Sequence, residues 1–324
     1  MNLKKWLLAV GCSGLLAFGV AACGDDDDDG ETGGGGDTPS GLSGTINIDG
    51  SSTVAPLSEA AAELFQQENP DVRVAVGTSG TGGGFEKFCA GETDISDASR
   101  PIDPKEEVPV CEENGVEHEE VAVANDALTV VVNPENPVTC MTVEQLNSVW
   151  GADSDLTSWG DIEGLDAEFG EELQLFGPGT DSGTFDYFTD AINGEEGVQR
   201  KDYNNVGEDD NATVQGVAGS TGGMGYFGFS FFEENADTLK ALEIDGGDGC
   251  VAPSLETVQD GSYQPLGREL FIYPSAEALQ DESVVEFVRF YIENQDAITE
   301  AAGFIPLTEE QAAESQEKVE GLAG

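Results

Sequence analysis

Positive charge is scarce in this sequence, which has 12 Lys and Arg residues against 65 Asp and Glu residues and a net charge of −53 at pH 7. Such a surface repels nucleic acid and anionic membranes, so we expect neither as an electrostatic partner. Self-repulsion of this size is tolerable where salt screens charges over short distances. We therefore expect an acidic, halophilic protein from a salt-rich habitat.

Histidine is nearly absent, because His118 is the only one. It lies in the acidic stretch Glu-His-Glu-Glu at residues 117–120, which favours an exposed surface histidine. A secreted hydrolase with Ser52 or Ser182 as nucleophile would need a general base, and a metallophosphatase would need a His/Asp cluster. We expect a protein that is not an enzyme and has no cofactor or metal. The hydrolase is the less favoured alternative.

Long hydrophobic runs are missing after residue 22. Residues 6–22 form an apolar run after Lys4 and Lys5, which predicts a secretory signal peptide over residues 1–22. The run Val-Ala-Ala-Cys at residues 20–23 resembles a bacterial lipobox, so we expect lipidation at Cys23. An ordinary signal peptide and a short anchor helix are the alternatives, although the run is short for a spanning helix.

Large apolar side chains are missing between residues 25 and 40, where Gly, Asp and Thr dominate. We expect residues 23–43 to form a disordered leash. The Asp run at residues 25–29 could bind a cation, but a solvated spacer is favoured. The protein is then extracytoplasmic, on the outer face of the cytoplasmic membrane or in the periplasm, and contacts the membrane through its lipid anchor only.

Six cysteines are present, of which Cys12 leaves with the signal and Cys23 is the lipid site. The other four predict two disulfides with three possible connectivities. The remaining chain of about 280 residues is long for one domain and natural for two lobes. We favour the pairs that would each join segments within one lobe, Cys89–Cys111 and Cys140–Cys250. A metal site is disfavoured because no CxxC is present.

Strand-like and helix-like stretches alternate along the chain, which predicts an α/β fold with a largely parallel sheet in its first part. In the first helix, Leu57, Ala61, Leu64 and Phe65 share one face, and Asn69-Pro70 ends it. The predicted strands are residues 45–48, 72–76, 94–95, 127–132, 173–176, 224–232 and 270–273. The other predicted helices are residues 85–90, 143–150, 185–192 and 284–292.

Three predicted strands end in Gly/Ser/Thr-rich turns that open helices, at residues 50–53, 79–84 and 180–184. Each turn offers backbone N–H groups, hydroxyl donors and the positive end of a helix dipole. Convergence of the three would create an anion site from neutral donors. Ser99-Arg100 ends a fourth strand and could add a bidentate cation. Taken singly, each turn could be a simple N-cap, and residues 77–84 lack the Lys of a P-loop.

At these positions the chain resembles the phosphate-binding proteins of bacterial phosphate importers. The matching stretches are residues 49–56, 80–85, 94–102, 127–134 and 177–185, and the similarity extends from about residue 45 to 307. The resemblance implies an α/β, two-lobed type II periplasmic-binding-protein fold with two crossover hinge strands, at residues 127–132 and 270–273. Lobe one would comprise residues 44–126 with about 266–324, and lobe two residues 127–265.

The resemblance also implies which residues hold phosphate between the lobes. Pro178 and Ser99 stand where better-known members have an Arg and an Asp, so Arg100 is expected to replace the missing cation. Asp97, or second Asp181, is then the candidate carboxylate. The full implied set is Ser52, Thr53, Ser79, Gly80, Thr81, Asp97, Ser99, Arg100, Thr180, Asp181, Ser182, Gly183 and Thr184.

A carboxylate in such a site can accept the proton that phosphate carries at neutral pH and repel sulfate, which has none. We therefore expect a monomer that binds inorganic phosphate and docks on the permease subunits of an ABC importer. The alternatives are a binder of another oxyanion (sulfate, molybdate or arsenate) and a sensor or adhesin that uses the same fold to report phosphate without transport.

Overall fold

The computed structural model describes residues 41–180, 182–207 and 209–322. The predictions for the signal peptide, Cys23 and most of the leash lie outside these residues. No helix in the described ranges is both long and apolar enough to cross a membrane. The described residues belong to one compact unit, and the lobe boundaries above stay a prediction.

Strands and helices alternate as the sequence predicts. The strands are β1 Gly44–Gly50, β2 Val72–Gly77, β3 Ile95–Ala98, β4 Val121–Val132, β5 Cys140–Thr142, β6 Gln174–Gly177, β7 Asn204–Asn205, β8 Gly223–Gly228, β9 Lys240–Ala241, β10 Glu243–Asp245, β11 Cys250–Val251 and β12 Gly267–Pro274. The α-helices are α1 Ala55–Glu68, α2 Gly80–Cys89, α3 Val108–Asn114, α4 Val143–Trp150, α5 Gly183–Phe188, α6 Asp210–Ala218, α7 Phe229–Asn235, α8 Leu255–Gln259, α9 Glu282–Glu293, α10 Gln295–Ala302 and α11 Glu309–Leu322. A π-helical turn, Thr189–Asn193, continues α5, and short 3-10 helices span Trp159–Asp161 and Ala278–Gln280.

One nine-stranded sheet runs through the molecule in the order β2-β1-β3-β12-β4-β8-β6-β7, with β9 also paired to β4. Its two outer parts are parallel, since β1 pairs with β2 and β3, and β6 pairs with β7 and β8. The central strands β12 and β4 are antiparallel to their neighbours. The sheet is therefore mixed, and its parallel parts send strand ends toward the turns before α1, α2 and α5.

Strand β4 joins the two parts of the sheet. Its first half pairs with β12 and its second half pairs with β8. Val121, Val123 and Ala124 contribute to one hydrophobic cluster around α1 and α9. Ala127, Leu128, Val130 and Val132 contribute to another around Trp150. Both predicted crossover segments thus lie in the central strands β4 and β12, which are longer than the sequence predicted. They are offset along these strands, because residues 270–272 pair with residues 121–124 whereas residues 128–132 pair with β8.

Helix α2 begins at Gly80, five residues before its predicted start. The glycine run that was expected to be a turn therefore forms the first helical turns. A Cβ added at Gly84 would lie 2.5 Å from the Cα of Gly50, so only glycine lets α2 pack this closely on the end of β1.

The prediction of a strand over residues 224–232 is wrong in its second half. Strand β8 ends at Gly228 and α7 begins at Phe229. Phe229 and Phe232 then contact the same hydrophobic cluster three residues apart, which is a helical spacing. A short aromatic run does not by itself distinguish a strand from a buried helix.

Both predicted disulfides are confirmed. Cys89 and Cys111 join α2 to α3 with their Cα atoms 4.3 Å apart. Cys140 and Cys250 join β5 to β11 in the small sheet β11-β10-β5, with their Cα atoms 6.0 Å apart.

Candidate functional site

The first turn, between β1 and α1, is fixed to the backbone of β3. Ser51 donates its N–H to the carbonyl of Asp97 at 2.9 Å, and Thr53 donates its N–H to Ser51 Oγ at 3.2 Å. Gly50 has a φ of 150°, and a Cβ there would lie 2.1 Å from the Asp97 carbonyl oxygen. The position therefore requires glycine, and it places Ser52 and Thr53 at the edge of the sheet.

The second and fourth turns meet through Thr81 and Ser99. The Ser99 N–H donates to Thr81 Oγ1 at 3.2 Å, and the two hydroxyls lie 3.0 Å apart. A cavity of about 350 Å³ is lined by Gly80, Thr81, Ser99 and Arg100 together with Ser52 and Thr53. We call it the first cavity. The structure thus brings three of the four predicted turns to one place.

The third turn lies directly against the first. A Cβ added at Gly183 would be 3.0 Å from Thr53 Oγ1 and 3.3 Å from Ser52 Oγ. Ser182, Gly183 and Thr184 line a second cavity of about 370 Å³, whose lining also includes Ser52 and Thr53. The ends of α1 and α5 therefore face each other, and the two cavities adjoin at Ser52 and Thr53.

Other predicted residues lie outside both cavities. Ser79 donates its N–H to Asp49 Oδ1 at 3.2 Å and its hydroxyl to the same oxygen, while Lys87 donates to Asp49 Oδ2 at 2.7 Å. Ser79 thus holds the start of α2 in place. Thr180 is exposed and lines neither cavity. Asp181 lies outside the described residues.

Asp97 does not occupy the place predicted for it. Its side chain is fully buried under α1, where Oδ1 accepts a hydrogen bond from Ser58 Oγ at 2.9 Å and Oδ2 has no partner. It lines neither cavity. Burial raises the pKa of Asp97 to about 8, and the nearby charge of Asp49 adds to this rise. Asp97 is therefore a buried acid beneath the site, because its strand position directs the side chain to the α1 side of β3.

Arg100 lines the first cavity but is already paired. Its Nη1 and Nη2 donate to the two carboxylate oxygens of Glu107 at 2.8 and 2.7 Å, and these bonds raise the pKa of Arg100. A fork-to-fork pair uses the geometry in which an Arg would bind an oxyanion. The predicted replacement cation is therefore engaged by an acidic residue that the sequence analysis did not consider.

Sequence reasoning missed a second pair, Arg268 and Asp126, which face each other on β12 and β4. Arg268 Nε lies 3.2 Å from Asp126 Oδ2, Nη1 donates to the Ser99 carbonyl at 3.2 Å, and Nη2 donates to Thr53 Oγ1 at 3.1 Å. Its guanidinium carbon is 3.3 Å from the ring centroid of Tyr187 in α5. The signal available in the sequence was a charged residue beside each predicted crossover strand: Asp126 directly before residues 127–132 and Arg268 two residues before residues 270–273.

Asp126 is a carboxylate that does line a cavity. It is 7% exposed and lies in the wall of the second cavity, near Ser182, Gly183 and Thr184. Burial raises the pKa of Asp126, and the charge of Arg268 partly offsets that rise. A carboxylate therefore shares a cavity wall with the third turn, on a different strand from the one predicted.

His118 is half-buried, not exposed as predicted. Its ring packs 5.9 Å from that of Phe88 and 5.7 Å from that of Tyr273, measured between centroids. It lines neither cavity. His118 is therefore not placed to act as a base for Ser52 or Ser182.

Comparisons with known proteins agree on one family. The sequence model of the PBP superfamily domain matches residues 35–295. Protein SphX of Synechococcus elongatus is 47% identical over 81% of this chain and 77% of its own length. The phosphate-binding protein PstS of Staphylococcus saprophyticus is 36% identical over 99% of this chain and 96% of its own. The crystal structure of a possible phosphate binding protein from Planctomyces limnophilus superposes with a TM-score of 0.83 at 44% identity, covering 87% of this chain and 100% of that one.

Proposed function

Since this chain belongs to the PBP superfamily, in the group of the phosphate-binding proteins SphX and PstS, we propose that it captures inorganic phosphate and delivers it to an ABC importer. It does so as a binding protein and not as an enzyme. In this proposal the chain acts outside the cytoplasm, tethered through lipidated Cys23, and docks as a monomer on the permease subunits.

The contact of the first and third turns carries this proposal. Gly183 lies against Thr53 and Ser52, so hydroxyl and backbone donors from two helix starts surround one point. Neutral donors suit anion capture by a chain with a net charge of −53, because they create a local positive field despite the repulsive global one. The lobes meet here if residues 44–126 and 266–324 form one and residues 127–265 the other, with hinge motion at β4 and β12.

Titration calorimetry of the protein with phosphate and with sulfate, at moderate and at high salt, tests this function. One-to-one phosphate binding with no heat from sulfate supports it. Binding of sulfate, molybdate or arsenate in place of phosphate would leave the family assignment intact and show that the ligand is wrong. No binding of any of these oxyanions would overturn the proposed function and favour the hydrolase alternative.

Asp126 takes over the role that the sequence analysis gave to Asp97. A carboxylate in the cavity wall can accept the phosphate proton and disfavour sulfate, which presents only lone pairs to it. Replacing Asp126 by Asn is expected to weaken phosphate binding at least about tenfold, on the scale of a lost charged hydrogen bond. It should also lower the ratio of phosphate affinity to sulfate affinity. Calorimetry with both anions measures this.

Asp202→Asn provides the matched control. Asp202 also pairs with an arginine, Arg200, at 2.7 Å, but it lines neither cavity. This control should retain both the phosphate affinity and the selectivity. An Asp126→Asn variant that folds and keeps the full preference for phosphate would exclude Asp126 as the discriminating carboxylate.

A further inference from the structure

Arg268 is enclosed by groups from separate parts of the chain, and its side chain is only 16% exposed. Asp126 accepts from the Nε edge of the guanidinium. Tyr187 covers one face at 3.3 Å, and its own hydroxyl is fixed by a 2.9 Å bond to the carbonyl of Pro265. A partly desolvated cation over an aromatic ring is attracted to it. The plane and direction of the guanidinium are therefore both fixed.

This fixed guanidinium controls the hydroxyl of Thr53. Arg268 Nη2 donates to Thr53 Oγ1 at 3.1 Å, and an arginine can only donate. A threonine hydroxyl has one hydrogen to give and two lone pairs. With a lone pair of Oγ1 directed at Arg268, the hydrogen must point elsewhere, and among the described residues no protein acceptor is bonded to it. Thr53 lines both cavities, so this hydrogen is available to a ligand there.

We propose that Arg268 is a positioning residue, which makes Thr53 a donor toward the bound anion. The proposal rests on the proposed phosphate site and adds how that site selects the orientation of its ligand. One lone pair of Oγ1 is taken by Arg268, so the hydroxyl hydrogen points away from the guanidinium. An ionised phosphate oxygen is a stronger acceptor for this hydrogen than a protonated one. The phosphate O–H is then favoured at another position of the ligand, and Asp126, which lines the second cavity together with Thr53, is a carboxylate that can accept it there.

The scarcity of cations at the site makes this arrangement significant. Pro178 stands where related proteins are expected to have an Arg, and Arg100 is bound by both oxygens of Glu107. Arg268 instead contacts the first turn through Thr53 and the fourth turn through the Ser99 carbonyl. Arg268 also lines the first cavity itself, so it links two of the donor turns and brings a positive charge to the cavity wall.

A double-mutant cycle on phosphate affinity tests the inference. Thr53→Val removes the hydroxyl at nearly constant shape, and Arg268→Lys keeps the charge but loses the planar fork. Each change is expected to raise the phosphate Kd at least about tenfold. Because Arg268 acts through Thr53, the double variant should be no more than about twofold weaker than the weaker single variant. If the fold-increase in Kd of the double variant equals the product of the two single increases, the proposal is overturned. An Arg268→Lys variant with unchanged phosphate affinity would also overturn it.

Tyr187 provides a second measurement if Arg268→Lys fails to fold. Tyr187→Phe keeps the ring over the guanidinium, whereas Tyr187→Leu removes it. We expect the phosphate Kd of Tyr187→Leu to be at least about fivefold higher than that of Tyr187→Phe, given the usual strength of a desolvated cation–π contact. Equal affinities of the two variants would contradict the positioning role.

Arg289→Lys is the control, since it removes a guanidinium that pairs with Glu286 on α9 and lines neither cavity. Its affinity should match that of the unaltered protein. Failure of the proposed function and failure of the positioning role give different results. If the unaltered protein binds no phosphate, the proposed function fails. If it binds phosphate and the Arg268 and Tyr187 variants bind equally well, only the positioning role fails.

Discussion

Replacing Asp97 by Asn is expected to raise the free energy of unfolding by several kcal/mol at about pH 8. Asp97 is fully buried, and burial raises its pKa from 3.8 to about 8. The folded protein therefore keeps this carboxyl protonated at neutral pH, while the unfolded chain ionises it. Asn has the same shape, can accept the hydrogen bond from Ser58 Oγ, and has no charge to lose.

The direction of the pH effect follows from proton linkage. Between about pH 4 and about pH 8 the folded state binds one more proton at Asp97 than the unfolded state does. The contribution of Asp97 to the stability of the fold is thus fully present below the pKa that it has in the unfolded chain, and it is lost as the pH rises through that window. Each pKa unit corresponds to about 1.4 kcal/mol. Across this pH window the free energy of unfolding of the unaltered protein should therefore fall by several kcal/mol relative to that of Asp97→Asn.

Urea unfolding at about pH 5 and about pH 8 measures this difference. Glu63→Gln makes the same change of charge on the exposed face of α1 and should not alter the pH dependence. A parallel pH dependence of Asp97→Asn and the unaltered protein would show that Asp97 is ionised in the fold. Since Asp97 lines neither cavity, the variant should also keep the preference for phosphate over sulfate.

Asp97 also shows where sequence reasoning stops. The α/β order, helix α4 and the donor turns are encoded locally, in apolar spacing and in Gly/Ser/Thr runs, and could be predicted. The direction of a side chain from a four-residue strand depends on pairing register and on which helix covers it. Asp97 therefore belongs to the underside of α1, although Ser99, two residues later, lines the first cavity.

The Arg268–Asp126 pair could not be predicted for a related reason. The two residues are 142 positions apart and become neighbours only through the antiparallel pairing of β12 with β4. Arg100, in contrast, stood out in a recognisable turn, but its partner Glu107 sits on the following loop at a distance that only the folded chain sets. Local sequence predicted the turns that line the two cavities, whereas long-range pairing determines which charged side chains lie beside them.

Replacing Gly183 by a larger residue is expected to weaken phosphate binding without damage to folding. Gly183 has no positive φ, and Ala is a better helix former than Gly, so α5 should form as well or better. An added Cβ, however, lies 3.0 Å from Thr53 Oγ1 and 3.2 Å from Thr53 N. The first and third turns must then move apart by a few tenths of an ångström.

Overpacking of this kind costs about 1–3 kcal/mol. The two turns can relieve it by moving apart, so we expect the cost to fall on phosphate binding, which needs them together, and every 1.4 kcal/mol corresponds to about tenfold in Kd. We therefore expect Gly183→Ala to raise the phosphate Kd about fivefold or more and Gly183→Val to raise it about a hundredfold. Gly82→Ala is the matched control, because Gly82 lies in α2 with nothing within 4 Å of an added Cβ. Calorimetry with a thermal unfolding curve for each variant separates binding from stability. Full phosphate affinity in Gly183→Val would mean that the anion is not held between these two turns, because a valine there leaves them no room to close on it.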